Sequence, residues 1–160
     1  MNARASGKSD GKKPGLVSKR PASVLFVCAM NAIRSPMAEH LTRKIFGNEI
    51  YVESAGVQAG NRDPFAEAVM AEAGIELAAH TPSTLDDLAD TYFDLIVTLS
   101  PEAHHRALEM TRAHAVDVEY WPTFDPSSVA GNREQVLAAY RQLRDQLEKR
   151  IRARFGPDAS

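Results

Sequence analysis

A short β-forming run that breaks into a tight turn and then a Ser-Pro helix start limits the possible folds of this chain more than any other feature. Ser23 to Val27 (Ser-Val-Leu-Phe-Val) is β-branched and aromatic, and reads as a buried strand. Ser35-Pro36 reads as a helix start, because serine caps helices well and proline at the first helical position loses no needed N–H. Between them lie Cys28, Ala29, Met30, Asn31, Ala32, Ile33 and Arg34, with cysteine at the entrance and arginine at the exit. A strand, a tight loop and a helix in succession are the opening of an α/β unit.

The pattern repeats downstream. Met37, Leu41 and Ile45 mark one face of a helix from Pro36 to Phe46 that Gly47 stops. Tyr51-Val52 opens a second strand ending at Ser54-Ala55-Gly56. Asp63-Pro64 starts a helix that runs to Ala73 and closes at Gly74. Leu85 to Leu88 adds a helical turn, Phe93 to Leu99 a third strand, and Ser100-Pro101 a further helix start. Val116 to Tyr120 alternates as an edge strand does. Asn132 and Gln135 have capping-box spacing before a last helix whose stripe is Val136, Leu137, Tyr140, Leu143, Leu147 and Ile151. Strands alternating with helices predict an α/β three-layer sandwich, a parallel sheet with helices on both faces. Ligands of such sheets sit beyond the carboxyl ends of the strands, where the Cys28 loop lies.

The residue types in that loop suit an oxyanion. Five residues between Cys28 and Arg34 allow the backbone (Ala29, Met30, Asn31, Ala32, Ile33, with Arg34 and Ser35) to curl round a tetrahedral anion with amides pointing inward. The following helix adds the positive end of its dipole. Arg34 can grip two oxygens with its planar fork, which lysine cannot. The same field predicts a Cys28 thiol below its free value of about 8.5. The alternative is that Cys28 is a small buried hydrophobe and Arg34 a solvated helix-start residue.

Composition narrows the class. At 160 residues, 44% hydrophobic and 25% charged, the chain is one domain with a real core, and its net charge of −2 argues against nucleic acid as a partner. One cysteine excludes a disulfide framework and any cysteine-based metal cluster. His40, His80 and His114 have no partner at metal-ligand spacing in sequence, and adjacent His104 and His105 face different sides of a helix, so neither a metal nor another cofactor is expected. No apolar run is long enough to span a membrane, and the basic N-terminus has no apolar stretch of a secretory signal, so a cytoplasmic enzyme is expected. Residues 1–22, with Arg4, Lys8, Lys12, Lys13, Lys19 and Arg20, read as a disordered basic tail preceding a catalytic domain over 23–156.

Val-Cys-x-x-Asn-x-x-Arg-Ser-Pro resembles the signature of the low-molecular-weight protein tyrosine phosphatases and the arsenate reductases of the same fold, with similarity from about Val24 to Phe155. The resemblance implies a four-stranded sheet in the order 2-1-3-4. It implies Asp125, in Trp121-Pro122-Thr123-Phe124-Asp125-Pro126, as general acid, although an Asp before Pro also simply favours a turn. Ser35 either caps the helix or donates to the Cys28 sulfur, or does both. Asn31 is expected to fix the curl of the loop from a left-handed backbone position, braced from behind by Ser54.

Three departures stand out. The family's loop glycine is Met30. A second cysteine common in the family is Ile33, which leaves oxidised Cys28 without an internal rescue. Ser127-Ser128 replaces the aromatics that follow Asp-Pro in eukaryotic phosphatases, so ring stacking falls to Phe124 or Trp121. The run from Asp125 through Gly131 to Asp145 looks more like the arsenate-reductase branch, yet the two further cysteines of its thioredoxin-coupled members are missing. The expected function is hydrolysis of phosphotyrosine-type phosphomonoesters, on a protein or a small molecule, through a phosphocysteine. The alternatives are arsenate reduction with an external small thiol, and a non-catalytic oxyanion-binding or signalling module.

Overall fold

In the computed structural model, which describes residues 20–88 and 90–157, four parallel strands form one sheet. In chain order these are β1 (Ser23–Met30), β2 (Tyr51–Gln58), β3 (Leu95–Thr98) and β4 (Asp117–Tyr120). The helices are α1 (Arg34–Phe46), α2 (Pro64–Glu72), α3 (Pro101–Met110) and α4 (Arg133–Phe155), with short 3-10 turns at Gly47–Glu49, Asp86–Leu88 and Pro126–Ser128. The spatial order is β2-β1-β3-β4, the expected 2-1-3-4. The return of each parallel strand through a helix leaves β1 in the centre, with its carboxyl end beside the point where the order reverses.

Two-residue periodicity splits β1 between two cores. Val24, Phe26 and Cys28 face α1, α2 and α4, where Phe26 meets Trp121 and Phe155 edge to face at 5.8 and 6.3 Å. Leu25 and Val27 face the other side, against Leu85, Phe93, Ala103 and Ala107. The expected α4 stripe is buried at Leu137, Tyr140, Leu143, Leu147 and Ile151, joined by Phe155. Asp63 and Ser100 cap α2 and α3 through their side chains, and Asn132 and Gln135 close a reciprocal capping box at α4. Burial of Trp121 fixes it as a core residue, with Nε1 donating to Glu119 at 3.1 Å.

Three sequence expectations are corrected here. β1 does not end at Val27: Cys28 pairs with Gly56 and Met30 with Gln58, so the strand runs on through the cysteine. Ser35 is not the cap of α1. The helix starts at Arg34, Ile33 holds the cap position without a side-chain bond, and the Ser35 hydroxyl is drawn into the interior by better partners. The start of the fold also lies earlier than Ser23. Arg20, assigned above to the basic tail, donates from Nε to the Phe155 carbonyl at 2.8 Å, pairs with Glu49, bonds the Pro157 carbonyl and stacks on Phe46 at 4.6 Å. Residues 1–19 of that expected tail fall outside the described residues.

Candidate active site

The site is built at the carboxyl end of β1, where the strand feeds α1. Cys28 is 1% exposed. Its Sγ lies 2.9 Å from the Ser35 hydroxyl and donates to the Met30 carbonyl at 2.7 Å. Burial pushes the thiol above its ordinary value, and this outweighs the Ser35 hydroxyl, the Ser35 amide, the Arg34 charge and the Ala32 amide, all of which act the other way. The expectation of a depressed thiol is therefore overturned for this arrangement. A sulfur at the end of a central strand loses solvation faster than two amides and one guanidinium restore it.

The loop amides are not all turned inward. Asn31 N–H goes to the Gln58 carbonyl at 3.3 Å, continuing the β1–β2 ladder, and Ala32 N–H reaches the Met30 carbonyl at 2.7 Å. The Ala32 and Ser35 amides face the sulfur. Ala29, Ala32, Ile33 and Arg34 are half-buried, and Ile33 packs against the core below the loop. Met30 is 43% exposed and forms the rim. A Cβ placed on Gly60 would approach the Met30 Cβ to 3.0 Å, so the methionine side chain lies against the loop after β2.

Asn31 is fully buried and uses every hydrogen-bonding position of its side chain. Its Nδ2 donates to Ser35 Oγ at 2.8 Å and Ser54 Oγ at 3.0 Å. Its Oδ1 faces His80 Nε2 at 2.8 Å and accepts the Ser83 amide at 2.9 Å. Ser54, in turn, donates to Glu39 at 2.5 Å. The structure thus brings Ser35, Asn31 and Ser54 together behind Cys28. It adds three residues that the sequence reading left out: His80, Glu39 and Gly56. A Cβ on Gly56 would come within 2.5 Å of the Asn31 amide and closer still to the Gln58 carbonyl, so only glycine lets β2 lie this near the loop.

Arg34 reaches across the mouth and donates from Nη1 to the Thr123 carbonyl at 2.9 Å, which ties the cysteine loop to the segment carrying Asp125. Asp125 is exposed, and its Oδ1 accepts the Ser127 amide at 2.9 Å and the Ser127 hydroxyl at 2.6 Å. This is the turn-capping geometry weighed in sequence, on a loop that Arg34 anchors to the cysteine. Phe124 is half-buried against the core.

The histidines divide. His104 bonds Thr98 Oγ1 at 2.9 Å and stacks on Tyr120, while His105 points to solvent. His40 and His80 do not fit the expectation that they lack partners. Folding sets their Nε2 and Nδ1 3.3 Å apart, with the buried Glu39 beside both. Forty residues of chain separate the two rings, so spacing in sequence carried no sign of the contact.

A parallel α/β sheet whose central strand delivers a cysteine into a short loop closed by arginine defines the fold of the small cysteine-based phosphatases. The chain belongs to the low molecular weight phosphotyrosine protein phosphatase family, whose model matches residues 23–155. It is 35% identical over 130 residues to an arsenate reductase of Bacillus licheniformis, covering 81% of this chain and 92% of that protein. Among solved structures it resembles a mutant of YwlE arginine phosphatase with a phosphorylated active-site serine. That match has a TM-score of 0.67 and 27% identity, covering 81% and 91% of the two chains. It also resembles an arsenate reductase in the phosphate binding state, with a TM-score of 0.63 and 28% identity, covering 82% and 94%. Among the described residues no helix is long and apolar enough to cross a membrane.

Proposed function

We propose that the protein is a cysteine-dependent phosphatase that hydrolyses phosphotyrosine-type phosphomonoesters. The observation that carries this reading is the Arg34–Thr123 hydrogen bond, which joins a nucleophile loop to a carboxylate loop with no second thiol in the chain. The Cys28 thiolate attacks phosphorus, an S–P bond forms, and the bond to the leaving oxygen breaks. Asp125 hands that oxygen its proton. Water then attacks the phosphocysteine, Asp125 takes its proton, and the S–P bond breaks to return the Cys28 thiolate and release inorganic phosphate. Arg34 and the loop amides hold the equatorial oxygens.

The Met30 carbonyl repels a thiolate, so activation includes turning the Met30–Asn31 peptide away from sulfur. Ser35, which shares one proton between Cys28 and the Ala55 carbonyl (3.2 Å), then commits that proton to the sulfur. Recognition of the leaving group falls to Met30 at the rim and the half-buried Phe124, since Ser127 and Ser128 offer no ring.

The similarity to the Bacillus licheniformis protein supports a second reading, arsenate reduction. With Cys28 as the lone cysteine, an external small thiol would have to attack the arsenylated sulfur. The discriminating experiment measures p-nitrophenyl phosphate turnover, and arsenate reduction with glutathione or mycothiol, in wild type, Cys28→Ser and Asp125→Asn. Ester turnover that vanishes in Cys28→Ser and drops in Asp125→Asn supports the phosphatase. Thiol-dependent arsenate reduction without ester turnover supports the second reading. Phosphate binding with neither activity leaves an oxyanion-binding module.

A further inference from the structure

We propose that Glu39, His40 and His80 form a binding site for one divalent transition cation of the zinc type, set behind the cysteine loop. One carboxylate oxygen and one nitrogen from each ring lie within 4.8 Å of one another. His40 Nε2 lies 3.3 Å from His80 Nδ1, and the carboxylate meets the two rings with different oxygens, Oε2 at 3.8 Å from His40 Nε2 and Oε1 at 3.8 Å from His80 Nδ1. Tetrahedral zinc with bonds of about 2.0–2.1 Å holds its donors ~3.4 Å apart. With one carboxylate oxygen as ligand the three donors lie within 4.8 Å of one another, so the carboxylate must turn toward the rings to complete the site.

The hydrogen bonds fix which nitrogens are available. Asn31 Oδ1 accepts the Ser83 amide, and its Nδ2 donates to two hydroxyls, so the amide is oriented without ambiguity. His80 Nε2 must then carry the proton that points at Oδ1 from 2.8 Å, which leaves its Nδ1 as a lone pair aimed at His40. A ligating histidine whose other N–H is anchored on an oxygen is the usual supporting arrangement at metal sites. His40 at present fills the place of the ion by donating its own Nε2 proton, and it becomes a ligand by moving that proton to Nδ1.

Glu39 supplies the charge. Its side chain is 6% exposed and held by Ser54 and by Arg43 at 2.7 Å. Arg43, which pairs with Glu39 and also donates to the Val52 carbonyl at 2.8 Å, is a cation an arriving ion must tolerate or displace. Side-chain exposures of 18% for His40 and 11% for His80 leave a path from solvent. Three protein ligands keep the fourth position open, which is the pattern of an exchangeable site rather than a closed structural one.

The test titrates the full, tag-free chain with cobalt(II) and follows its visible d–d absorption, then competes with zinc. Wild type and Cys28→Ser should each take up one cobalt with a tetrahedral spectrum that zinc displaces, and without a thiolate-to-cobalt band. His40→Ala, which truncates a partly exposed ring, should bind ~100-fold more weakly while its thermal unfolding without metal stays close to wild type. Glu39→Gln should weaken binding in the same direction. The proposal is overturned if His40→Ala binds as tightly as wild type, if a thiolate band appears and is lost in Cys28→Ser, or if wild type shows no tetrahedral cobalt. None of these readouts depends on phosphatase turnover.

Discussion

The Met30 carbonyl oxygen lies 2.7 Å from the Cys28 sulfur and takes its proton in a hydrogen bond. A carbonyl in that place stabilises a thiol and opposes a thiolate, and burial of the sulfur acts in the same sense. Alkylation by iodoacetamide is accordingly expected to be slow at pH 7 and to climb as pH rises beyond the free-cysteine value of about 8.5. Met30→Gly frees the peptide to turn and should raise the rate at pH 7 by ~10-fold, equivalent to one unit of pKa. An unchanged pH–rate profile in Met30→Gly would show that the peptide's orientation does not control the thiol.

Asn31 makes four side-chain hydrogen bonds, two of them fully buried. Asn31→Ala removes one partner from each of two hydroxyls, an amide and an imidazole, at a cost of about 2–4 kcal/mol. Urea unfolding midpoints measure the loss. The cysteine should at the same time become more accessible to thiol reagents.

Gly56→Ala tests the approach of β2 to the loop. Its new methyl has nowhere to go between the Asn31 amide and the Gln58 carbonyl. We expect destabilisation of about 3 kcal/mol or more, or displacement of the loop with loss of phosphate binding. Unfolding midpoints and phosphate titration together distinguish the two.

Arg34→Lys keeps the charge but loses the fork and the reach to Thr123. The drop in kcat/KM for p-nitrophenyl phosphate should be ~10²–10³-fold. Steady-state kinetics with an unfolding control decides it.

The two half-buried histidines set a pH dependence. Desolvation is the larger cause in both and lowers them, with Arg43 acting the same way and Glu39 opposing. A base whose folded value is depressed contributes stability above its unfolded value of about 6.5, and that stability is lost as pH falls through the folded value. The melting temperature should therefore decline below about pH 6.5, with a shallower slope in His40→Gln.

Local pattern carried the succession of strands and helices because each boundary is written in nearby residues: Asp63, Ser100 and Asn132 cap the helices that follow them. The Cys28–Arg34 stretch was legible for the same reason. What stayed hidden depends on contacts distant in sequence. β1 extends through Met30 only because Gln58 pairs with it. Ser35 looks like a cap until Asn31 and Cys28 claim its hydroxyl. Glu39 sits in a helix where a surface charge would be unremarkable, and its burial follows from Ser54, His40 and His80 arriving from other elements or the next residue. Arg20 read as one more charge of a tail because its partners Glu49 and Phe155 lie far along the chain.

That arginine has a topological consequence. By bonding the carbonyls of Phe155 and Pro157 it makes the first and last described residues neighbours, so the described fold begins and ends at one place. Splicing those ends with a few residues would cost little closure entropy. Reopening the ring at the exposed Arg112–Ala113 turn would then give a circular permutant in which β1 still occupies the middle of the sheet.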